Sequence, residues 1–335
     1  MSRHGYGRDE EDGYGRPPRH TRPRTKDRPD FSDAEVARVI AVDRGRYTVL
    51  MDDESREVLT TKARQLGRKG VIVGDRVRVV GDTSGEEGTL GRIVEVLPRA
   101  TVLRRTADDD DPYERPIVAN ADQLAIVTAL ADPPPRTGMI DRILVAAYDG
   151  GLEPLLVLTK ADLASPQQLM AAYRGLDLRV VATEPDADLT ELRDLLADRQ
   201  TVFVGHSGVG KSTLVNALIP DAGRAIGHVN EVTGRGRHTS TSAVALPLPE
   251  PGGWVIDTPG VRSFGLSHVT TDSIIAAFPD LAEIVEDCPR GCRHDSSATD
   301  CALDAAVAAG RLAPERLESF RRMERSWTTP PSYDR

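Results

Sequence analysis

The stretch Gly205-His206-Ser207-Gly208-Val209-Gly210-Lys211-Ser212 constrains this chain more than any other. It follows the apolar run Thr201-Val202-Phe203-Val204 and opens into Thr213-Leu214-Val215-Asn216-Ala217-Leu218, which reads as a helix. Strand, G-x-x-x-x-G-K-[ST] loop and helix, in that order, are what a polyphosphate-binding loop requires. The glycines let backbone N–H groups wrap a phosphate chain, and the helix N-terminus adds a favourable dipole. The pattern predicts a nucleoside triphosphate held by residues 205–212 and Thr213, with Lys211 at the β- and γ-phosphates and Ser212 on Mg²⁺. The bland alternative, a glycine-rich turn followed by a lysine, is opposed by both flanking elements.

A chain of 335 residues accommodates two or three domains of roughly 100–200 residues each. Its 39% hydrophobic and 28% charged content suits a soluble protein with sizeable cores. No apolar run approaches the ~18 residues of a membrane span, and the N-terminus has no apolar signal core. The three cysteines all fall between 288 and 301, which argues against a disulfide framework and for a reducing compartment. The expectation is a cytoplasmic protein with no membrane association. The net charge of −9 conceals a local excess of 13 Lys/Arg over 10 Asp/Glu in residues 41–106, so a basic face for RNA remains compatible with an acidic chain.

Residues 1–33 read as a disordered tail, because 1–30 have no aliphatic residue after Met1 and cannot bury a core. Residues 34–106 change to short β-rich runs: Ala34–Val42, Tyr47–Met51, Glu57–Thr61, Arg76–Val80 and Gly91–Val96. Five short strands between turns fit a small closed barrel such as an OB-fold. Tyr47 is the only ring between Phe31 and Tyr113, so nucleic-acid contacts would run through Lys62, Arg64, Arg68, Lys69, Arg76 and Arg78 to phosphate; a merely solvated surface is the alternative. Thr106–Pro116, with four consecutive aspartates, reads as a polar linker. Residues 117–268 alternate strands (123–128, 154–158, 178–182, 201–204, 243–247, 254–257) with helices, which predicts a doubly wound, mostly parallel α/β sheet. Asp221–Ser242 lacks periodicity and reads as a mobile loop. Residues 269–335 are helical apart from the cysteine cluster, with helices at Ala302–Ala309 and Pro314–Trp327.

Thr159-Lys160-Ala161-Asp162 sits at the carboxyl end of a strand, where ligands lie in open α/β sheets. Beside a phosphate-binding loop it reads as a guanine site. Asp162 accepts from guanine N1–H and the exocyclic amine together, and adenine would leave that carboxylate unpaired. Alone, the motif could be a turn capped by Asp162. Asp257-Thr258-Pro259-Gly260 fits a D-x-x-G element, with Asp257 organising Mg²⁺ and the Gly260 N–H sensing the γ-phosphate. The order is unusual: the base motif precedes the phosphate loop, and D-x-x-G follows it. The same sheet still forms, since moving the termini leaves strand neighbours unchanged.

In these motifs, in Gly234-Arg235-Gly236-Arg237-His238-Thr239-Ser240-Thr241 and in the cysteine cluster, the chain resembles the circularly permuted GTPases of the ribosome-small-subunit-dependent GTPase A type, over residues 34 to 327. The resemblance implies an OB-fold barrel, a circularly permuted GTPase domain and a C-terminal helical zinc-binding domain. It implies hydrolysis of GTP to GDP and phosphate, stimulated by the small ribosomal subunit with its rRNA during late maturation; the chain itself is expected to be a monomer. Val261 stands where many GTPases carry a water-orienting Gln, and an apolar side chain cannot position water. In the family a His of the switch run is the catalytic candidate, and His238 occupies that place; a loop His could equally contact rRNA or nothing. The adjacent hydroxyl for Mg²⁺ is assigned to Ser240, with Thr239 and Thr241 as alternatives. Cys288, Cys292, His294 and Cys301 form a Cys₃His set suited to one tetrahedral structural Zn²⁺, against a reading as free core thiols or a substitution by Asp287. Their spacing is C-x₃-C-x-H-x₆-C where the family has C-x₄-C-x-H-x₅-C, with the overall span unchanged.

Two other readings compete with a subunit-activated GTPase. One is an rRNA-binding assembly module toggled by GTP, with incidental hydrolysis. The other is an ATP-driven enzyme such as a small-molecule kinase, in which Asp162 would carry no base preference.

Overall fold

In a computed structural model, residues 30–53, 56–67, 70–106, 113–220, 222, 243–260 and 264–328 are described. The first five strands are β1 (Glu35–Asp43), β2 (Arg46–Met51), β3 (Glu57–Lys62), β4 (Arg76–Gly81) and β5 (Gly91–Val96). They pair β1–β2–β3–β5–β4 and close through β1–β4, with β3 and β5 parallel and the other pairs antiparallel. This is the OB-fold barrel. Alternate residues such as Ala37, Val39, Val49, Val77 and Val79 point inward and are almost wholly buried, as a period-two pattern requires. Tyr47 is 7% exposed and belongs to this interior, so the barrel's one ring serves packing and not base stacking.

A hairpin follows, of β6 (Val102–Arg105) and β7 (Arg115–Ala119). This corrects the ends of Thr106–Pro116, read as a linker, while 113–114 belong to no strand. Thr106 bridges Gly265, and Arg115 and Pro116 open β7, while 107–112 lie outside the described residues. The hairpin also ties to the barrel: Val73 bridges Val118, and the Asn120 side chain donates to the Gly74 carbonyl at 2.9 Å. At Gly74, φ is +87° and an added Cβ would lie 1.9 Å from the Ala119 carbonyl oxygen, so only glycine permits that approach.

The second part of the sheet comprises β8 (Gln123–Ala129), β9 (Glu153–Thr159), β10 (Arg179–Ala182), β11 (Gln200–Gly205), β12 (Val244–Pro247) and β13 (Trp254–Asp257). Their order is β10-β9-β8-β11-β13-β12, parallel except for β12. Every residue of β8 is buried, as expected of a central strand covered on both faces. Helices α1 (Thr137–Asp149), α2 (Gln167–Tyr173), α3 (Thr190–Leu196) and α4 (Lys211–Leu218) connect these strands. β12 meets β1 at Ala41 and Val244, which joins barrel and α/β sheet in one eleven-stranded assembly.

The C-terminal part holds α5 (Thr271–Ile275), α6 (Pro279–Val285), α7 (Ala302–Ala308) and α8 (Pro314–Thr328). α8 lies along α1, and Leu317, Phe320 and Met323 share one core with Ile140, Ile143 and Leu144. Asp141 of α1 is 2% exposed and pairs with Arg322 of α8 at 3.1 Å, with the guanidinium 4.5 Å above the Tyr173 ring.

Candidate nucleotide and metal sites

β11 delivers its chain end into the loop Gly205–Gly210, and α4 starts at Lys211. Two glycines enable the turn: φ is +84° at Gly208 and +85° at Gly210, the N-cap of α4, a region that side chains disfavour. A Cβ at Gly205 would meet the Val127 carbonyl oxygen of β8 at 2.6 Å, so the strand can run this close only as glycine. Ser207, Ser212 and Thr213 are exposed along the rim of the loop, whereas Val209 is buried beneath it. The Lys211 ammonium is buried: it donates to the Asp257 carboxylate and, at 2.6 Å, to the Thr258 carbonyl. His206 turns its Nδ1 back to the Ser207 carbonyl at 2.8 Å.

Thr159-Lys160-Ala161-Asp162 lies two strands away, at the end of β9, with β8 between. Thr159 is 6% exposed and its hydroxyl donates to the Val209 carbonyl at 2.6 Å, which ties the base motif to the phosphate loop. Its position is internal. Lys160 adopts φ +59°, strained for a side-chain-bearing residue, and its ammonium bonds the Asp132 carbonyl. The Thr183 carbonyl accepts from the Ala161 N–H at 3.1 Å, so the loop after β10 supports this turn. Asp162 is exposed at its end.

Asp257 ends β13, beside β11 in register with Phe203. The Thr258 hydroxyl donates to the Phe203 carbonyl at 2.7 Å. The turn therefore folds back over the phosphate loop: a Cβ on Gly260 would lie 3.5 Å from the Ser207 nitrogen. The structure thus gathers 205–212, 159–162 and 257–260 at the carboxyl ends of β11, β9 and β13 in one parallel sheet, where such sheets bind ligands. His238, Thr239, Ser240, Thr241 and Val261 lie outside the described residues.

Cys288, Cys292, His294 and Cys301 converge, with their ligand atoms all within 4.8 Å of one another. The Cys288 sulfur lies 3.5 Å from His294 Nδ1 and 4.0 Å from the Cys301 sulfur, and Cys301 lies 3.8 Å from the same nitrogen. Tetrahedral Zn²⁺ with metal–sulfur bonds of about 2.3 Å needs edges of about 3.4–3.8 Å, so Cys288, His294 and Cys301 stand close to that geometry and the set would fit the ion once its widest pair draws in. Within the cluster, φ is positive at Gly291 (79°), His294 (61°) and Asp300 (58°). Arg321 of α8 braces the loop: its Nε donates to the His294 carbonyl at 3.0 Å, and its two Nη donate to the Asp304 carboxylate at 2.8 and 2.7 Å.

In the barrel, Arg76 pairs with Asp52 at 2.5 Å and Arg78 with Glu95 at 3.3 Å, so these two of the expected phosphate contacts are matched by acids. Arg64 is exposed in a short 3₁₀ turn, Arg64–Leu66, and Arg68 and Lys69 lie outside the described residues. Two functional candidates escaped the sequence reading. The Asp132 carbonyl beside Lys160 was foreshadowed only by the proline run 133–135. Arg142, which bonds the Phe264 carbonyl at 2.8 Å, gave no local signal.

The strand order, with the base-motif strand preceding the phosphate-loop strand, defines a circularly permuted GTPase fused to an OB-fold barrel. The RsgA GTPase family model matches residues 96–267. The chain is 41% identical over 302 residues to the small ribosomal subunit biogenesis GTPase RsgA of Pseudomonas aeruginosa PAO1, covering 87% of this chain and 85% of that one. It is 40% identical over 260 residues to the protein of that name from Pseudomonas putida KT2440, covering 75% and 73%. Among solved structures it is similar to YjeQ from Thermotoga maritima, with a TM-score of 0.65, 26% identity, and 89% and 99% of the two chains covered. It is also similar to YloQ, a circularly permuted GTPase, with a TM-score of 0.61, 25% identity, and 90% and 98% covered. The chain belongs to the RsgA GTPase family and is a GTP-hydrolysing enzyme.

Proposed function

We propose that this GTPase acts as a cytoplasmic monomer on the small ribosomal subunit, binding its rRNA late in assembly and hydrolysing GTP when docked there. What carries the reading is the bond from Thr159 to Val209, which locks a guanine-type motif onto a phosphate loop in a chain 41% identical to a small ribosomal subunit biogenesis GTPase. In this reading Asp162 and Lys160 take the guanine, residues 205–213 and Gly260 take the phosphates, and Ser212, Asp257 and Ser240 hold Mg²⁺. Bound there, the metal would neutralise charge on the phosphoryl group being transferred. His238 is the group that orients the attacking water. The four ligands at 288–301 hold one Zn²⁺, which fixes the loop between α6 and α7. Among the described residues no helix is long and apolar enough to cross a membrane.

GTP turnover measured with and without purified small subunits tests this. A rise of at least about tenfold with subunits is expected, in keeping with GTPases that gain catalytic help from a partner; an unchanged rate would sink it. The second reading, a GTP-toggled assembly module with incidental hydrolysis, draws on Val261, which cannot orient water. It predicts nucleotide-dependent subunit binding without stimulated turnover.

A further inference from the structure

We infer that Arg142 is a positioning residue for the nucleotide switch, pinning Phe264, four residues beyond Gly260, to the end of helix α8. The inference rests on the reading of the Asp257-Thr258-Pro259-Gly260 turn as the γ-phosphate sensor. Arg142 lies in α1 and is 3% exposed. Its Nε donates to the Phe264 carbonyl at 2.8 Å, and its Nη1 donates to the Ser326 carbonyl. Phe264 is fully buried four residues beyond Gly260. Ser326 lies in the last turn of α8, where carbonyls have no partner within the helix and the dipole favours a cation.

The two acceptors belong to parts of the molecule with different tasks, and one guanidinium serves both. A planar fork can hold two acceptors at fixed angles, which a lysine ammonium on a flexible stem cannot. The neighbouring residue is pinned as well, since the Gly265 carbonyl accepts from the Thr106 N–H of the hairpin at 3.0 Å. Thr258, Pro259, Gly260 and Phe264 all line a cavity of about 300 Å³ shared with Val73 and Ile117. The turn thus borders open space, and of these residues Phe264 is the one held by Arg142. A shift that brings the Gly260 N–H onto a γ-phosphate pulls on Phe264, and Arg142 passes that pull to α8. Asp141, one residue earlier, holds Arg322 of the same helix, so α1 and α8 respond as one unit.

The test uses the full chain with Arg142→Met, which keeps the apolar stem without donors, and Arg142→Lys. Affinity for a non-hydrolysable GTP analogue should fall about tenfold in Arg142→Met, the loss expected for a buried charged hydrogen bond. Affinity for GDP, which lacks the sensed phosphate, should stay within about twofold. Lys should restore only part of the loss. In the unmodified protein, amide exchange at 324–328 should differ between the GTP-analogue and GDP complexes, and Arg142→Met should erase that difference. Equal losses for both nucleotides, or identical exchange of α8 in both complexes, would overturn the inference. Should neither variant fold, the exchange comparison on the unmodified protein decides alone. Gly260→Ala checks the underlying reading separately. If it keeps the normal preference for the GTP analogue over GDP, the sensor assignment fails, whatever the exchange at α8 shows.

Discussion

Lys211, the first residue of α4, donates to the carboxylate of Asp257 at the end of β13, so the side chains expected at the phosphates and at Mg²⁺ neutralise each other. Their side chains are 8% and 21% exposed, which places the pair where loss of one partner leaves the other poorly solvated. In the proposed reading, nucleotide binding would exchange partners: phosphate would replace the carboxylate at Lys211 and leave Asp257 free to help hold Mg²⁺. Lys211→Met should abolish measurable GTP and GDP binding. It should also destabilise the nucleotide-free protein by about 1–3 kcal/mol in urea titrations. Lys211→Met with Asp257→Asn should cost less than the sum of the single changes; strict additivity would show that the contact carries no coupling.

Thr159 and Asp162 sit in one motif but should fail differently. The Thr159 hydroxyl is spent on the Val209 carbonyl, so Thr159→Val should weaken GTP and GDP binding alike by about fivefold to tenfold without changing base preference. Asp162 is exposed, and in the proposed reading Asp162→Asn should lower GTP affinity by at least about a hundredfold. Because asparagine can donate to the xanthine 2-oxo group, xanthosine triphosphate should then bind more tightly than GTP. Titrations with the three nucleotides separate the two residues. Loss of base selectivity in Thr159→Val would return that residue to the guanine contact set.

What the sequence made legible follows from the range of the interactions involved. The barrel strands were readable because alternation is local: Val77 and Val79 point inward while Arg76 and Arg78 do not. The α/β strands were readable because buried parallel strands such as β8 are apolar throughout. The hairpin was not. β6 ends in two arginines, β7 carries Pro116, and four aspartates dominate the stretch between them, so every local signal favoured a linker. The role of Thr159 was equally hidden, since its acceptor lies 50 residues along the chain. Arg142 looks like a polar residue of an amphipathic helix, and only the packing of α8 against α1 reveals that it is buried.

The cysteine cluster predicts a metal content and an outer brace. One zinc per chain should be found by elemental analysis, and chelation should lower Tm, because Cys288, Cys292, His294 and Cys301 are the groups that close the loop between α6 and α7. Arg321 holds the His294 carbonyl from outside. Arg321→Ala should therefore weaken zinc binding by about tenfold or more in competition with a chromophoric chelator, with all four ligands intact. Zinc-free protein with three freely reactive thiols and unchanged Tm would favour ordinary core cysteines.

Acid stability should report the pair between α6 and α8. Burial tends to raise the Asp280 pKa, but the hydrogen bonds and charge of Arg316 outweigh it, and the carboxyl ends below its ordinary value of 3.8. The Arg316 Nε lies 2.9 Å from Asp280, and its guanidinium sits 4.8 Å over the Phe278 ring. A carboxylate with a depressed folded-state pKa contributes stability that is fully present above its unfolded value and is lost as pH falls through the folded one. The Asp280 side chain is 44% exposed, so the contribution should be modest, about 0.3–1 kcal/mol. Asp280→Asn should thus destabilise the chain relative to the unmodified protein at pH 6, and the difference should shrink as pH drops below about 3.8. Paired denaturant titrations at pH 6 and pH 3 measure it, and a difference independent of pH would mean that Asp280 contributes by shape and not by charge.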